Sequence, residues 1–462
     1  MKTKAEEKKY EKMPFYRKLL FGVGDSTFST LFTVVAFLYM FFLTDVVGLK
    51  PSLAGAVFLI LKGWDAVTDP MVGYFSDRTK SRWGRRRPYM LFGILPCAFF
   101  FVLIWQTYPI VPADNQILLF ITYALLNLIF WTFFTITGIP YASLAPELTL
   151  DYDDRTSLIS ARMFFSIVFG LLAAVVPFMI LDLYPNKEVG FGMMGIFVGI
   201  FAVFPVLITF FGTKERPEFQ DQKSLPFITS VKETLKNKPF RVAMTIFLLS
   251  WMTVDIIGAV FIYYVIYCIG YTESVLQILF GTMFITAMIF LPFWVFVSKK
   301  IGKRMTYILG MAFWAVVMFL LFLLPPGTPF LALVILSFLA GIGVSTAHLI
   351  PWAMIIDCVD FDELKTGARR EGMFTGFTLF LQKLASAIAV FIIGIFLDSF
   401  GYVANMLQTK KAILAIKLLI GPIPALLLLS SIIVSLFYPI SKEKYREIRE
   451  ILDKKEKGGK VA

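Results

Sequence analysis

The chain has 462 residues, of which 58% are hydrophobic, 16% aromatic and only 16% charged, and this balance excludes an ordinary soluble domain. A net charge of +12 would point to nucleic acid only if the basic residues gathered on a soluble folded unit, yet the longest polar stretch is the loop from Thr213 to Pro239. The three cysteines, Cys97, Cys268 and Cys358, sit in separate apolar runs, one histidine (His348) is present, and no phosphate-binding glycine loop appears. A disulfide framework, a metal cluster, a Ser-His-Asp hydrolase and an ATP-driven pump are therefore not expected, nor is a bound cofactor.

A basic segment up to Lys18 precedes the apolar run from Leu19 to Leu43, which is too long for a signal-peptide core and lacks an A-x-A-like cleavage site, so it reads as the first retained span. Apolar runs then recur along the chain. They predict twelve helices at 19–45, 52–76, 88–108, 116–142, 157–182, 191–213, 240–268, 274–298, 304–324, 330–357, 373–400 and 411–438. The short alternating segments of a membrane β-barrel are absent.

The second run contains the stretch Gly63-Trp64-Asp65-Ala66-Val67-Thr68-Asp69-Pro70. Residues four apart on a helix share a face, so Asp65 and Asp69 point at one spot near mid-depth of a bilayer. Two carboxylates held together in a low-dielectric site cannot both stay ionised unless a cation joins them or one takes a proton. Thr68 adds a hydroxyl between them, and a hard monovalent cation wants oxygen ligands. Simple pairing of the acids with Lys62, one turn away, or with Lys383 is the structural alternative. Ionisable groups within spans are costly and functional by default, which also marks Arg162. Lys417, close to a span end, reads as a snorkelling side chain.

Of the 44 Lys and Arg residues, 36 fall on the termini and alternate loops, which places both termini in the cytoplasm of an inner (plasma) membrane. The two halves resemble each other: Ile139-Pro140-Tyr141-Ala142 recurs as Ile350-Pro351-Trp352-Ala353, Asp151-Tyr152-Asp153-Asp154 as Asp360-Phe361-Asp362-Glu363, and Gly84-Arg85-Arg86 as Gly302-Lys303-Arg304. The expected organisation is a six-helix bundle over 1–213, a cytoplasmic linker over 214–239, a second bundle over 240–439 and a cytoplasmic tail over 440–462. An all-α membrane protein of two pseudo-symmetric six-helix bundles around a central cavity is the major facilitator architecture, which works by rocking of the halves.

Four segments carry a closer resemblance: FLTDVVGL (Phe42 to Leu49), WDAVTDPMVGYFSDRTKSRWGRRRPY (Trp64 to Tyr89), IPYASLAPELTLDYDDR (Ile139 to Arg155) and VDFDELKTGARREG (Val359 to Gly372). Through them the chain resembles the glycoside-pentoside-hexuronide:cation symporters, a family that includes sodium-coupled melibiose carriers and an animal lysophosphatidylcholine carrier. The resemblance implies a coupling-cation site at Asp65, Thr68, Asp69 and Thr135, with Lys383 as a neighbouring ammonium that links cation to substrate binding. Arg162 matches a helix-five arginine of the family.

The substrate side departs from the melibiose pattern. Ser29 and Gly138 stand where galactoside carriers have aspartates, Ala142 and His348 where they have tryptophans, and Thr378 with Leu379 replaces a Gln-Thr pair. Asp255 aligns with a polar uncharged position and could supply a missing carboxylate, and the aromatics Tyr263, Tyr264 and Trp352 could stack on a sugar. The Asp-Arg pairs Asp77-Arg78 and Asp154-Arg155 are expected to latch helix ends on the cytoplasmic side. The leading expectation is a monomeric symporter that couples Na⁺ or H⁺ to import of a sugar, glycoside or sugar acid. A lysophospholipid in a laterally open cavity is the alternative cargo. A non-transporting receptor is the third reading, opposed by the intact set of cation ligands.

Overall fold

The computed structural model describes residues 13–109, 111–112, 114–148, 152–215, 237–366 and 371–456, and among these every regular element is helical. Contacts divide the chain into two compact units, Met1–Lys223 and Ser224–Ala462. In the first, α1 (Phe15–Gly22), α2 (Asp25–Phe41), α3 (Pro51–Arg78), α4 (Arg87–Ile104), α5 (Gln116–Leu148), α6 (Tyr152–Leu181) and α7 (Lys187–Gly212) follow one another. The second holds α8 (Lys238–Tyr263), α9 (Leu276–Ile301), α10 (Lys303–Leu323), α11 (Phe330–Thr366), α12 (Glu371–Ser399), α13 (Lys410–Ile420), α14 (Pro422–Ser435) and α15 (Lys442–Glu456).

Eleven helical stretches among the described residues are long and apolar enough to cross a membrane. α3 is not among them although its 28 residues suffice in length, because Lys62, Asp65 and Asp69 interrupt its apolar character. Helices are the only open-ended elements that satisfy all their own backbone groups in lipid, which explains why the hydropathy runs and the helices coincide so closely. Two of the expected spans are also interrupted. The first is broken at Gly22-Val23-Gly24 into α1 and α2, and the last at Gly421 into α13 and α14.

The first break shows how the sequence permits it. A Cβ on Gly22 would lie 2.8 Å from the Ala161 carbonyl of α6, and one on Gly24 would lie 2.5 Å from Thr209 Oγ1 of α7, so only glycine allows this approach. The carbonyls freed by the break find donors: Thr209 Oγ1 donates to Leu20 O (2.8 Å) and Tyr141 Oη to Phe21 O (3.1 Å).

Each unit repeats one packing scheme. In the first, α2 packs on α6 and α7, α3 on α5, and α4 on both α5 and α7; in the second, α8 packs on α12 and α14, α9 on α11, and α10 on both α11 and α14. The likeness extends to details. α2 and α8 each end in a π-helical turn, Phe42–Val46 and Tyr264–Ile269, followed by a glycine with positive φ, Gly48 at 80° and Gly270 at 95°.

The turn before α4 is closed from a distance. Glu215, buried three residues beyond α7, accepts from the backbone N–H groups of Arg85 (2.7 Å), Arg86 (2.9 Å) and Arg87 (2.9 Å). These are the orphan donors of a helix N-terminus, where a carboxylate also meets the favourable end of the helix dipole. Glu215→Ala would leave three donors without this acceptor. The expected cost is about 2–3 kcal/mol, to be seen as a lower thermal midpoint of the detergent-solubilised protein, with Glu215→Gln retaining part of the loss.

Candidate functional site

Within the first unit, two of the expected cation ligands, Asp69 of α3 and Thr135 of α5, meet across the helix pair. Asp65, Thr68 and Thr135 are buried at 2%, 6% and 3% exposure, and Asp69 is half-buried. Thr135 Oγ1 on α5 donates to Asp69 Oδ1 at 3.0 Å. Thr68 Oγ1 donates to the Trp64 carbonyl four residues back at 3.1 Å. Both hydroxyl protons are thus committed, which leaves oxygen lone pairs as the groups these side chains can offer a further ligand.

Lys62 completes the arrangement. Its Nζ lies 3.5 Å from Asp65 Oδ2 and 4.3 Å from the Trp131 ring centroid, with Phe32 at 5.8 Å. A desolvated cation over an indole face gains about 2 kcal/mol, comparable to the roughly 2.5–3.5 kcal/mol cost of a charge at the centre of a span. The ammonium is held between one carboxylate and two rings. Asp65, Asp69 and Lys62, taken as ionised, sum to one negative charge.

A second cross-helix bond was not legible in the sequence. Trp64 Nε1 donates to Thr132 Oγ1 at 2.8 Å, one turn from Thr135 on α5, while Thr132 itself donates to Leu128 O at 2.6 Å. Trp64 and Thr132 therefore fix the α3–α5 register that puts Asp69 opposite Thr135. The signal available was the adjacency of Trp64 to Asp65 and the i,i+3 spacing of Thr132 and Thr135.

The substrate-side residues of this unit are placed less openly than expected. Arg162 Nε on α6 donates to Asp25 Oδ1 of α2 at 2.6 Å, and its guanidinium carbon stands 5.4 Å from the Tyr141 ring centroid. Asp25, only 4% exposed, spends the arginine's charge inside the unit. Ser29 Oγ donates to Asp25 O at 2.9 Å. Gly138 has no free space beside it: an added Cβ would meet Phe28 Cε1 at 3.2 Å, and Phe28 packs on Tyr141 (5.1 Å between centroids) and edge-on to Phe134 (5.5 Å). An aromatic ring occupies the room a helix-four carboxylate would need.

In the second unit, Asp255 on α8 and Lys383 on α12 are half-buried. His348 Nδ1 lies 3.0 Å from Val344 O and its ring 4.7 Å from that of Trp251, a packed histidine. Thr378 is fully buried and donates to Phe374 O at 2.7 Å, four residues back on its own helix. Tyr263 and Tyr264 are likewise fully buried, which makes them core rather than sugar platforms. Of the expected latch, Arg78 stacks over Tyr74 at 3.4 Å, whereas the side chains of Asp77, Asp154 and Arg155 lie outside the described residues.

The fold is that of a major facilitator transporter: the xylose transporter XylE of Escherichia coli, in its inward-open conformation, superposes with a TM-score of 0.63 over 95% of this chain and 99% of that one at 15% identity. The family of MFS/sugar transport proteins matches residues 20–442. Relatives include the inner membrane symporter YicJ of Escherichia coli, 30% identical over 96% of both chains, and the isoprimeverose transporter of Lactiplantibacillus pentosus, 26% identical over 96% of this chain and 92% of that one. The sodium-dependent lysophosphatidylcholine symporter 1-A of Danio rerio is 24% identical over 96% of this chain and 89% of its own. The chain belongs to the glycoside-pentoside-hexuronide:cation symporter family of the major facilitator superfamily, and is a multi-pass membrane transporter rather than an enzyme.

The geometry around Gly138 gives a direct test. Gly138→Asp should destabilise the protein by about 1–3 kcal/mol through overpacking against Phe28. In a Phe28→Ala background, where the ring is gone, Gly138→Asp should lower the thermal midpoint by less than it does in the unaltered protein, a difference read as a double-mutant cycle on the purified proteins.

Proposed function

We propose that the protein is a cation-coupled symporter that imports a neutral sugar or glycoside by alternating access, with Asp65, Thr68, Asp69 and Thr135 as the seat of the coupling ion. The observation that carries this reading is the pairing on α3 and α5: Asp69 accepts from Thr135 while Asp65 stands beside Lys62. Two carboxylates and one ammonium leave a single negative charge, which one monovalent cation neutralises and a divalent cation would overshoot. An all-oxygen donor set suits Na⁺, and a proton on either acid would serve the same balance. Lys383 remains the proposed link between cation and substrate, with Asp255 and His348 as proposed substrate contacts and the Asp77-Arg78 and Asp154-Arg155 pairs as the proposed cytoplasmic latch. The charge bias of the loops supports an inner-membrane orientation with both termini cytoplasmic, and the proposed working unit is the monomer.

The internal pairing of Arg162 with Asp25 speaks against a sugar acid, because the arginine's charge is already balanced. The name of the isoprimeverose transporter supports a glycoside. A lysophospholipid is the second reading, supported by the aromatic filling beside Gly138 and by the Danio rerio relative.

Uptake or substrate binding should rise with Na⁺ in the unaltered protein and lose that response in Asp69→Asn, which preserves shape while removing the charge. Sodium-independent, pH-independent transport by that variant would refute the coupling site. A thermal-shift screen of glycosides, sugar acids and lysolipids with and without Na⁺ should show the largest Na⁺-dependent stabilisation with a neutral glycoside. A larger shift with lysolipid would transfer the function to the second reading.

A further inference from the structure

The contact between Lys62 and Asp65 is long for a buried ion pair. Nζ stands 3.5 Å from Oδ2, at the limit of a hydrogen bond, whereas charge-assisted N–H···O bonds settle at about 2.7–2.9 Å. Arg162 and Lys303 each reach their aspartates at 2.6 Å. On the other side of the Lys62 ammonium stand two rings, Trp131 of α5 at 4.3 Å and Phe32 of α2 at 5.8 Å. The cation is thus shared between a carboxylate and an aromatic wall. Lys62 and Asp65 are 8% and 2% exposed, and an indole face attracts a cation most strongly where water is excluded.

Trp131 is positioned by its ring rather than by its N–H. It is 3% exposed, yet Nε1 makes no hydrogen bond among the described residues, whereas a buried indole usually finds an acceptor. Trp64, on the facing helix, does find one in Thr132. The Trp131 ring is held instead by Phe134 and Phe130, at 4.9 and 5.3 Å between centroids, and by Phe32, nearly perpendicular to it at 6.5 Å. What the indole offers in this place is its face, and the ammonium lies over that face.

A coupling ion at Asp65 and Asp69 and the Lys62 ammonium are like charges drawing on one carboxylate, so the closer the ammonium keeps to Asp65, the more weakly the ion is held. The indole gives the ammonium a second attraction that needs no carboxylate. A lysine suits such sharing, because its charge is compact and its stem flexible. We infer that Trp131 is a positioning residue of the coupling site: its face draws the Lys62 ammonium away from Asp65 and thereby sets the affinity for the coupling ion. The inference rests on the cation site proposed above and adds to it a residue that supplies no oxygen ligand.

The test measures Na⁺ binding to the full chain in neutral detergent, without substrate, at fixed pH and constant ionic strength, from the rise of the thermal midpoint with Na⁺ concentration. The unaltered protein should respond and Asp69→Asn should not. Trp131→Leu should bind Na⁺ at least about five-fold more weakly, and Trp131→Phe, whose ring is a poorer seat for a cation, should fall between the two. A merely structural ring would lower the midpoint at every Na⁺ concentration without moving the concentration dependence. In a Lys62→Gln background the same substitutions should leave Na⁺ affinity within about two-fold, because no ammonium remains for the ring to hold. If Trp131→Leu does not fold, Trp131→Phe with and without Lys62→Gln makes the same comparison. Unchanged or tighter Na⁺ binding in the Trp131 variants, or an equal loss in the Lys62→Gln background, would overturn the role of the ring while leaving the cation site standing. A missing Na⁺ response in the unaltered protein would overturn the proposed site and the ring's role together.

Discussion

Two carboxylates one helical turn apart in a largely apolar helix are the constraint around which the first unit is arranged. A charge near mid-span costs a few kcal/mol, and a pair of like charges costs more, so α3 cannot keep Asp65 and Asp69 without help. Each helper comes from a different origin. Lys62 is local, one turn back on the same helix, and is itself steadied by Trp131 and Phe32. Thr135 comes from α5, whose register is fixed by the Trp64–Thr132 bond. The helix stays short of full apolarity because it carries those three ionisable groups.

A second charge balance, Asp25 with Arg162, shows the same economy applied to structure instead of exchange. The pair lies beside the broken junction of α1 and α2, where Tyr141 touches both the freed Phe21 carbonyl and the guanidinium. Removing one partner of such a pair leaves the other as an uncompensated buried charge, a loss larger than the pair's own net worth. Arg162 is thereby tied to the scaffold through Asp25.

The fold was largely legible in the sequence because lipid leaves the backbone few choices: long apolar runs must be helices, and the repeated IPYA-like and glycine–basic turns exposed the duplication. The stacked acids were legible for the same reason, since i,i+4 geometry needs no tertiary information. What was hidden depends on distant partners. Glu215 closes a turn about 130 residues earlier, and Phe28 fills the space beside Gly138 from another helix; neither contact leaves a local pattern. The Gly421-Pro422 break was readable in principle as a helix-stop signal, but the apolarity on both sides masked it.

That break bears on how the chain is made. α13 and α14 have 11 and 14 residues, about 16 and 21 Å of helix, each short of a hydrocarbon core of about 30 Å. Neither could be inserted alone, so the membrane machinery must accept Lys410–Ser435 as one continuous segment. The close approach of α10 requires glycine at 421, where a Cβ would lie 2.6 Å from Phe322 Cβ and 3.0 Å from Met318 O. The kink is thus encoded locally by Gly421 and Pro422, and α10 packs into the space that the glycine leaves.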